Sequence, residues 1–454
     1  MTYELPERWR PRLETRLPRY TSYPTADRFD ARIDAAVAAG WLAGLDPRLP
    51  VSLYVHLPFC HALCWYCGCH TTVPNRIQRV DRYLDALEAE MALVARTVGR
   101  ALSVAHLHFG GGTPNYLDGA RWRRLMGSIR RHFDLAGTQE IAVELDPRLL
   151  DEERVAALAE SGVNRASLGV QDFAPEVQRR IHREQPFDLV AGAVERLREA
   201  GIRRLSFDLM YGLPGQTSES VARTAAQAAS LAPDRLAVFG YAHVPWMKPH
   251  QKMIDETALP GTISRYEQAC AIGTMLEAAG YEAVGFDHYA RPDDRLAIAA
   301  REGRLNRNFQ GYTDDTAETL IGIGASAISE LPAGYVQNNP RLDGWREAVM
   351  AGRSACVRGA ATDAVDRLRR TAIRRVLSDF ALDFGALARE HGRSEDFFDD
   401  ALAPLQELAR DGLVTLVARR LEIPPAARFF ARHVAACFDA FRRREERGRH
   451  SLAV

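Results

Sequence analysis

From residue 51 onward, short apolar runs alternate with longer stretches in which apolar residues recur every three or four positions. The first pattern marks strands and the second amphipathic helices, so their alternation predicts an α/β fold built from βα units around a parallel sheet or barrel. Six strands are predicted: Val51 to Leu57, Val104 to Phe109, Glu140 to Leu145, Arg165 to Val170, Arg203 to Leu209 and Arg235 to Tyr241. Between the first two, Val80, Tyr83, Leu84, Leu87, Met91 and Val94 share one face of a helix over 79–98. Six units fall short of the eight of a complete barrel, which predicts a partial one.

Past the sixth strand, Asn306 to Tyr312 reads as a loop, and the glycine-spaced run Ile321 to Ile328 reads as a buried element of the same domain. From about Ala360 the βα rhythm gives way to helical patterning, with a hairpin-like piece near Leu413 to Ile423. The predicted organisation is therefore an N-terminal lid segment (1–50), the partial barrel domain (51–358) and a mainly helical C-terminal lid domain (359–454). The helix and hairpin order of that last part resembles a winged helix.

Strand alternation separates Leu53, Val55 and Leu57 from Tyr54 and His56. The apolar set should lie under helices, which turns Tyr54 and His56 into the barrel. Polar residues recur at the strand ends: Gly110-Gly111-Gly112-Thr113-Pro114 after the second, Glu144 and Asp146 after the third, Gln171 and Asp172 after the fourth, Asp208 at the fifth, and Tyr241-Ala242-His243 after the sixth. A single carboxylate there is often a helix cap, but polar groups at five successive ends point to a site on the C-terminal rim.

Four of the seven cysteines, Cys60, Cys64, Cys67 and Cys69, lie in the loop after the first strand; Cys270, Cys356 and Cys437 are scattered. Dense thiols in a chain with no secretion signal read as a soft-metal site in preference to a disulfide framework. Structural zinc loops usually present two spaced pairs of ligands, a pattern missing here. Three thiolates on a cubane iron-sulfur cluster would leave one iron open for a small molecule.

Composition narrows the alternatives. Formal net charge is zero, which argues against a general nucleic-acid or acidic-membrane surface. Only two lysines occur, Lys248 and Lys252; the other basic residues are arginines. No apolar stretch approaches the roughly 18 residues that span a bilayer, and Met1 to Arg10 is polar, so the expectation is a cytoplasmic protein without nucleic-acid or membrane partners.

The spacing Cys-x3-Cys-x2-Cys, with an aromatic residue just before the third cysteine, resembles the signature of radical S-adenosylmethionine (SAM) enzymes. More specifically, the chain resembles the oxygen-independent coproporphyrinogen III dehydrogenases (oxidases) over essentially its whole length. Segments carrying this resemblance include Arg19 to Thr25, Tyr54 to Cys60, Cys67-Gly68-Cys69, Gly110 to Pro114, Ser167 to Asp172, Asp287-His288, Ala290 to Asp294, and Arg307 to Thr313. It implies a (βα)6 partial barrel, a [4Fe-4S] cluster ligated by Cys60, Cys64 and Cys67, and two SAM molecules. Tyr54, Tyr66, Gly111, Gly112, Thr113, Glu144, Gln171, Arg183, Asp208, Ala242 and Ile328 match the positions that contact SAM. Tyr54 and Cys69 are the candidate catalytic residues, with Cys69 near the cluster and not a ligand. Tyr66 replaces a phenylalanine of the family, keeping the ring and adding a hydroxyl.

The resemblance further implies coproporphyrinogen III as substrate, an electron donor protein as partner, and a monomer. A 5'-deoxyadenosyl radical would remove hydrogen from the β-carbon of a propionate, and loss of CO2 and an electron would leave a vinyl group. Two rounds would give protoporphyrinogen IX. Arg183 is expected to pair bidentately with a SAM carboxylate, and Glu144 and Asp208 to accept from ribose hydroxyls or the SAM amine. A heme-binding chaperone and a heme-degrading methyltransferase of the same superfamily are the rival readings; Cys69 and the Arg19 to Thr25 segment argue against the chaperone.

Overall fold

Six βα units run in chain order through the middle of the molecule. They are β1 (Val51–Leu57) with α1 (Gln78–Val98), β2 (Leu102–Gly111) with α2 (Gly119–His132), β3 (Glu140–Leu145) with α3 (Glu152–Glu160), β4 (Arg165–Gln171) with α4 (Phe187–Glu199), β5 (Arg204–Tyr211) with α5 (Ser218–Ser230), and β6 (Arg235–Gly240) with α6 (Thr262–Ala278). This computed structural model describes residues 5–442; residues 1–4 and 443–454, the outer ends of the two expected lid segments, lie outside the described residues. Successive strands pair in parallel. Local chemistry sets several helix starts: Asp118, Asp151 and Thr217 each accept backbone N–H groups of the first turn of α2, α3 and α5.

The sheet continues past both ends of this series. Six further strands, β7 (Glu282–Val284), β8 (His288–Ala290), β9 (Leu320–Ile323), β10 (Ile328–Leu331), β11 (Gly334–Asn338) and β12 (Cys356–Ala361), complete the order β12-β11-β10-β9-β1-β2-β3-β4-β5-β6-β8-β7. The glycine-spaced element is thus β9, a seventh parallel strand on the open side of β1, with Gly322 opposite Tyr54. Buried Glu90 of α1 pins it there: its carboxylate accepts from Gly324 N (2.8 Å), Asn338 Nδ2 (2.6 Å) and Trp345 Nε1 (3.0 Å). The segment read as a loop, 306–312, forms a small hairpin of Asn306–Asn308 and Gly311–Thr313.

Leu53, Val55 and Leu57 are buried in the main core, as the alternation predicted. The expected boundary at residue 359 falls within β12, which runs on to Ala361, held by its ladder to β11 and by a backbone bridge between Gly359 and Asp30. After it come a helix (Ala364–Asp379), a strand (Ala381–Asp383), two helices (Phe384–Glu390, Leu402–Arg410) and the hairpin Thr415–Val417/Arg420–Glu422. The N-terminal segment packs on this part of the chain. Trp9 lies edge-on to Phe430 and donates to Asp411 O, Tyr20 donates to Asp439, and the Tyr23 hydroxyl accepts from Ala440 N.

Candidate active site

The strand register places one polar layer inside the barrel mouth. Tyr54 lies opposite His108 and Glu144 opposite Ser167, while Gly169 lies opposite Asp208. The Tyr54 hydroxyl pairs with His56 Nδ1 (3.0 Å), and His108 Nε2 with Glu144 Oε1 (3.1 Å). Glycines are required where β2 ends. A Cβ on Gly110 would stand 2.6 Å from the Glu144 carboxylate, and one on Gly111, whose φ is +115°, would stand 2.4 Å from the His56 ring. That close approach lets Gly111 N donate to Glu144 Oε2 (3.1 Å). Gln171 also has a positive φ, +67°, where the β4–β5 register slips.

Above this layer lies a cavity of about 620 Å³. Cys60, Cys64, Cys67 and Cys69 line one wall, and Gly111, Gly112, Thr113, Glu144, Gln171, Arg183, Asp208 and Ala242 line others. Among the described residues, no three His, Cys, Asp or Glu side chains gather tightly enough to hold a single metal ion. The loop is anchored from two sides. Trp65 N donates to Ile181 O (3.0 Å), and its ring stacks on His182, whose Nδ1 meets Leu63 O (3.0 Å). From the other side, Lys248 Nζ reaches Cys69 O (2.8 Å), His250 Nε2 reaches Cys67 O (2.8 Å) and Gln251 Nε2 reaches Tyr66 O (3.0 Å).

Electrostatics differentiate the acidic groups. Burial, reinforced by the negative charge of Glu144, pushes Asp208 up to about 7. Burial also acts upward on Glu144, but its hydrogen bond to His108 and the Gly111 N–H outweigh it and hold the carboxyl below its usual range. Asp146 is lowered to about 2, because Arg148 and Arg183 more than offset its desolvation. Among the thiols, burial raises Cys60 to about 11, whereas the Cys69 thiol and backbone N–H, with Lys248 and His250 nearby, lower Cys67 to about 6.

Residues 54–228 match the radical SAM superfamily. The chain is 48% identical to an oxygen-independent coproporphyrinogen III oxidase of Bradyrhizobium diazoefficiens over 94% of its length and 95% of that protein. It belongs to the oxygen-independent coproporphyrinogen III oxidase family. A relative of that name from Escherichia coli is 40% identical over 95% of this chain and 94% of its own. The solved structure of the coproporphyrinogen III oxidase from Escherichia coli, described as a radical SAM enzyme, superposes with a TM-score of 0.89 at 39% identity, covering 94% of this chain and all of that one. The chain is therefore a radical SAM oxidoreductase, and family membership implies a [4Fe-4S] cluster and SAM.

The residues present fit those groups. Three thiols share a wall, the glycine turn leaves backbone open to the cavity, and buried Arg183 Nε has no hydrogen-bond partner among the described residues. The structure alters two expectations. The Arg183 fork is already engaged, Nη1 with Asp146 (3.3 Å) and Cys64 Sγ (3.6 Å) and Nη2 with Gly169 O (2.7 Å), so a bidentate carboxylate pair would have to displace Asp146. Tyr54 and Ile328 do not line the large cavity: Tyr54 lies in the layer beneath, and Ile328 sits beyond Gly322, the β9 partner of Tyr54. The sequence reading missed Arg148 and the Lys248, His250 and Gln251 brace. Its one signal was the pair of lysines in a chain of arginines, both within this segment.

Proposed function

We propose that this protein converts coproporphyrinogen III to protoporphyrinogen IX by oxidative decarboxylation of two propionate side chains in anaerobic heme and porphyrin biosynthesis. The observation that carries the reading is the single cavity in which three loop thiols face Glu144, Asp208 and Arg183, in a chain with near full-length kinship to the oxidase family. When bound, the cluster and SAM supply the electron and the 5'-deoxyadenosyl radical that opens each decarboxylation. Cys60, Cys64 and Cys67 hold the cluster. Cys69, two residues beyond, tunes Cys67 through its thiol and N–H, and Tyr54 stays protonated beneath the site because burial and Glu144 disfavour its anion.

Around them, Tyr66, Gly111, Gly112, Thr113, Gln171 and Ala242 shape the walls for two SAM molecules, with Ile328 behind Tyr54. Glu144 and Asp208 accept from ribose hydroxyls or a cationic amine, and Arg183 Nε offers the remaining donor to a carboxylate. Residues 5–50 and 362–442, the described parts of the N-terminal segment and of the chain beyond β12, form the cover that keeps water and oxygen from a carbon radical. We also place the enzyme in the cytosol as a monomer served by an electron donor protein, since free thiols and an oxygen-sensitive cluster suit a reducing compartment. Among the described residues, no helix is long and apolar enough to cross a membrane.

The test is anaerobic incubation of reconstituted protein with SAM, reductant and coproporphyrinogen III. Formation of CO2 and protoporphyrinogen IX supports the assignment. Stoichiometric heme binding without turnover would support the chaperone instead.

A further inference from the structure

A second chamber, of about 310 Å³, opens beside the cluster-facing cavity and shares Arg19, Phe239, Gly240, Tyr241 and Ala242 with it. It lies between the end of β6, helix α6, the β7–β8 turn and residues 425–432. Its walls are strongly aromatic, including Tyr211, Phe239, Tyr266, Phe286, Tyr289 and Phe429. Its size falls within the range of small-molecule sites.

Charge in this chamber is unbalanced. Arg19, Arg428 and Arg432 line it, against the carboxylates of Asp287 and Glu277. Asp287 is already engaged, with His288 Nδ1 at 2.6 Å and Arg307 at 3.7 Å, and Glu277 is exposed to solvent. Arg19 donates to Gly240 O (3.2 Å) and Arg428 lies over the Phe380 ring (4.6 Å), both neutral groups. Burial and the positive charges of Arg19 and Arg307 lower Arg432 to about 10. Aromatic walls with guanidinium groups at the rim suit a molecule with flat π faces and several carboxylates at its edge.

We infer that this chamber receives the tetrapyrrole, with Arg19 and Arg428 binding propionate carboxylates that are not reacting while the reacting propionate lies over the cysteine loop. The inference rests on the proposed function and adds where the substrate sits and what selects it. Alternation between the two reacting propionates then requires the macrocycle to turn within a site whose anchors are bidentate and interchangeable.

The test uses full-length protein with its cluster. Coproporphyrin III, which carries four propionates, is titrated by fluorescence quenching against wild type, Arg19→Gln and Arg428→Gln, alongside its tetramethyl ester. Arg19 is exposed and Arg428 only half-buried, so neither change empties a core position. Each variant is expected to weaken coproporphyrin binding by about tenfold, the loss of a charge-assisted hydrogen bond, and to raise KM for coproporphyrinogen III correspondingly. Ester binding should not change. Unchanged coproporphyrin affinity, or equal weakening of acid and ester, would overturn the chamber assignment and leave the reaction standing. A wild-type protein that binds coproporphyrin tightly but decarboxylates nothing would overturn the reaction instead.

Discussion

Asp208 should make SAM affinity depend on pH in a direction the structure dictates. Its carboxyl sits inside the barrel mouth with Ser167 at 3.5 Å, and burial plus the Glu144 charge raise it from a usual 3.8 to about 7. That displacement corresponds to about 4 kcal/mol disfavouring the carboxylate. The unfolded chain releases this proton at lower pH, so the contribution of Asp208 to stability is lost as pH rises from about 3.8 to about 7. A cationic ligand prefers the carboxylate, so binding expels the proton below pH 7, and affinity falls by about tenfold per pH unit in that limb. Anaerobic calorimetry at pH 6, 7 and 8, in buffers of different ionisation enthalpy, counts the proton. The SAM amine titrates as well, so the decisive quantity is the difference between wild type and Asp208→Asn. Wild type should show the steeper slope and one additional proton released. Identical slopes and proton counts would refute the reasoning.

Other perturbations separate structural from chemical roles. Cys64→Ser should abolish the visible cluster absorbance, whereas Cys356→Ser should leave it intact, because Cys356 is buried in β12 with its thiol directed at Ile33 O (3.4 Å); equal loss in both would count against the ligand assignment. Gly111→Ala combines a φ of +115° with a Cβ 2.4 Å from His56, and a loss of about 3 kcal/mol is expected in urea unfolding. Glu90→Leu removes the acceptor of three buried donors, Gly324 N just past β9, Asn338 Nδ2 of β11 and Trp345 Nε1 of the helix Leu342–Met350, and should cost about 4 kcal/mol in the same measurement. A loss under about 1 kcal/mol would show that solvent or neighbouring groups replace the carboxylate.

Strands with one apolar and one polar face were the most legible elements. β1 and β3 begin and end where the alternation places them, since a one-residue slip would turn Tyr54 and His56 into the helical layer. β2 runs on to Gly111, past the predicted Phe109, because the glycines still pair with His56 and Leu57 on β1. β9 was harder to read: Leu320-Ile321-Gly322-Ile323 is short and apolar on both faces, so period alone cannot tell it from any buried run. At the site, the cysteines and strand-end acids were legible because they are local in sequence. The grip of Lys248, His250 and Gln251 on the cysteine loop spans more than 175 residues of chain and left no local pattern. The engagement of Arg183 by Asp146 likewise depends on the end of β3 meeting the loop between β4 and α4.

Ligation of a cluster by Cys60, Cys64 and Cys67, with one iron left for SAM, is the central proposal. Its most direct test is iron and sulfide analysis of anaerobically prepared protein, followed by paramagnetic resonance of the reduced sample with and without SAM. The prediction is about four iron and four sulfide per chain and a signal that shifts when SAM binds. Stoichiometric zinc without iron, or a cluster signal indifferent to SAM, would contradict it.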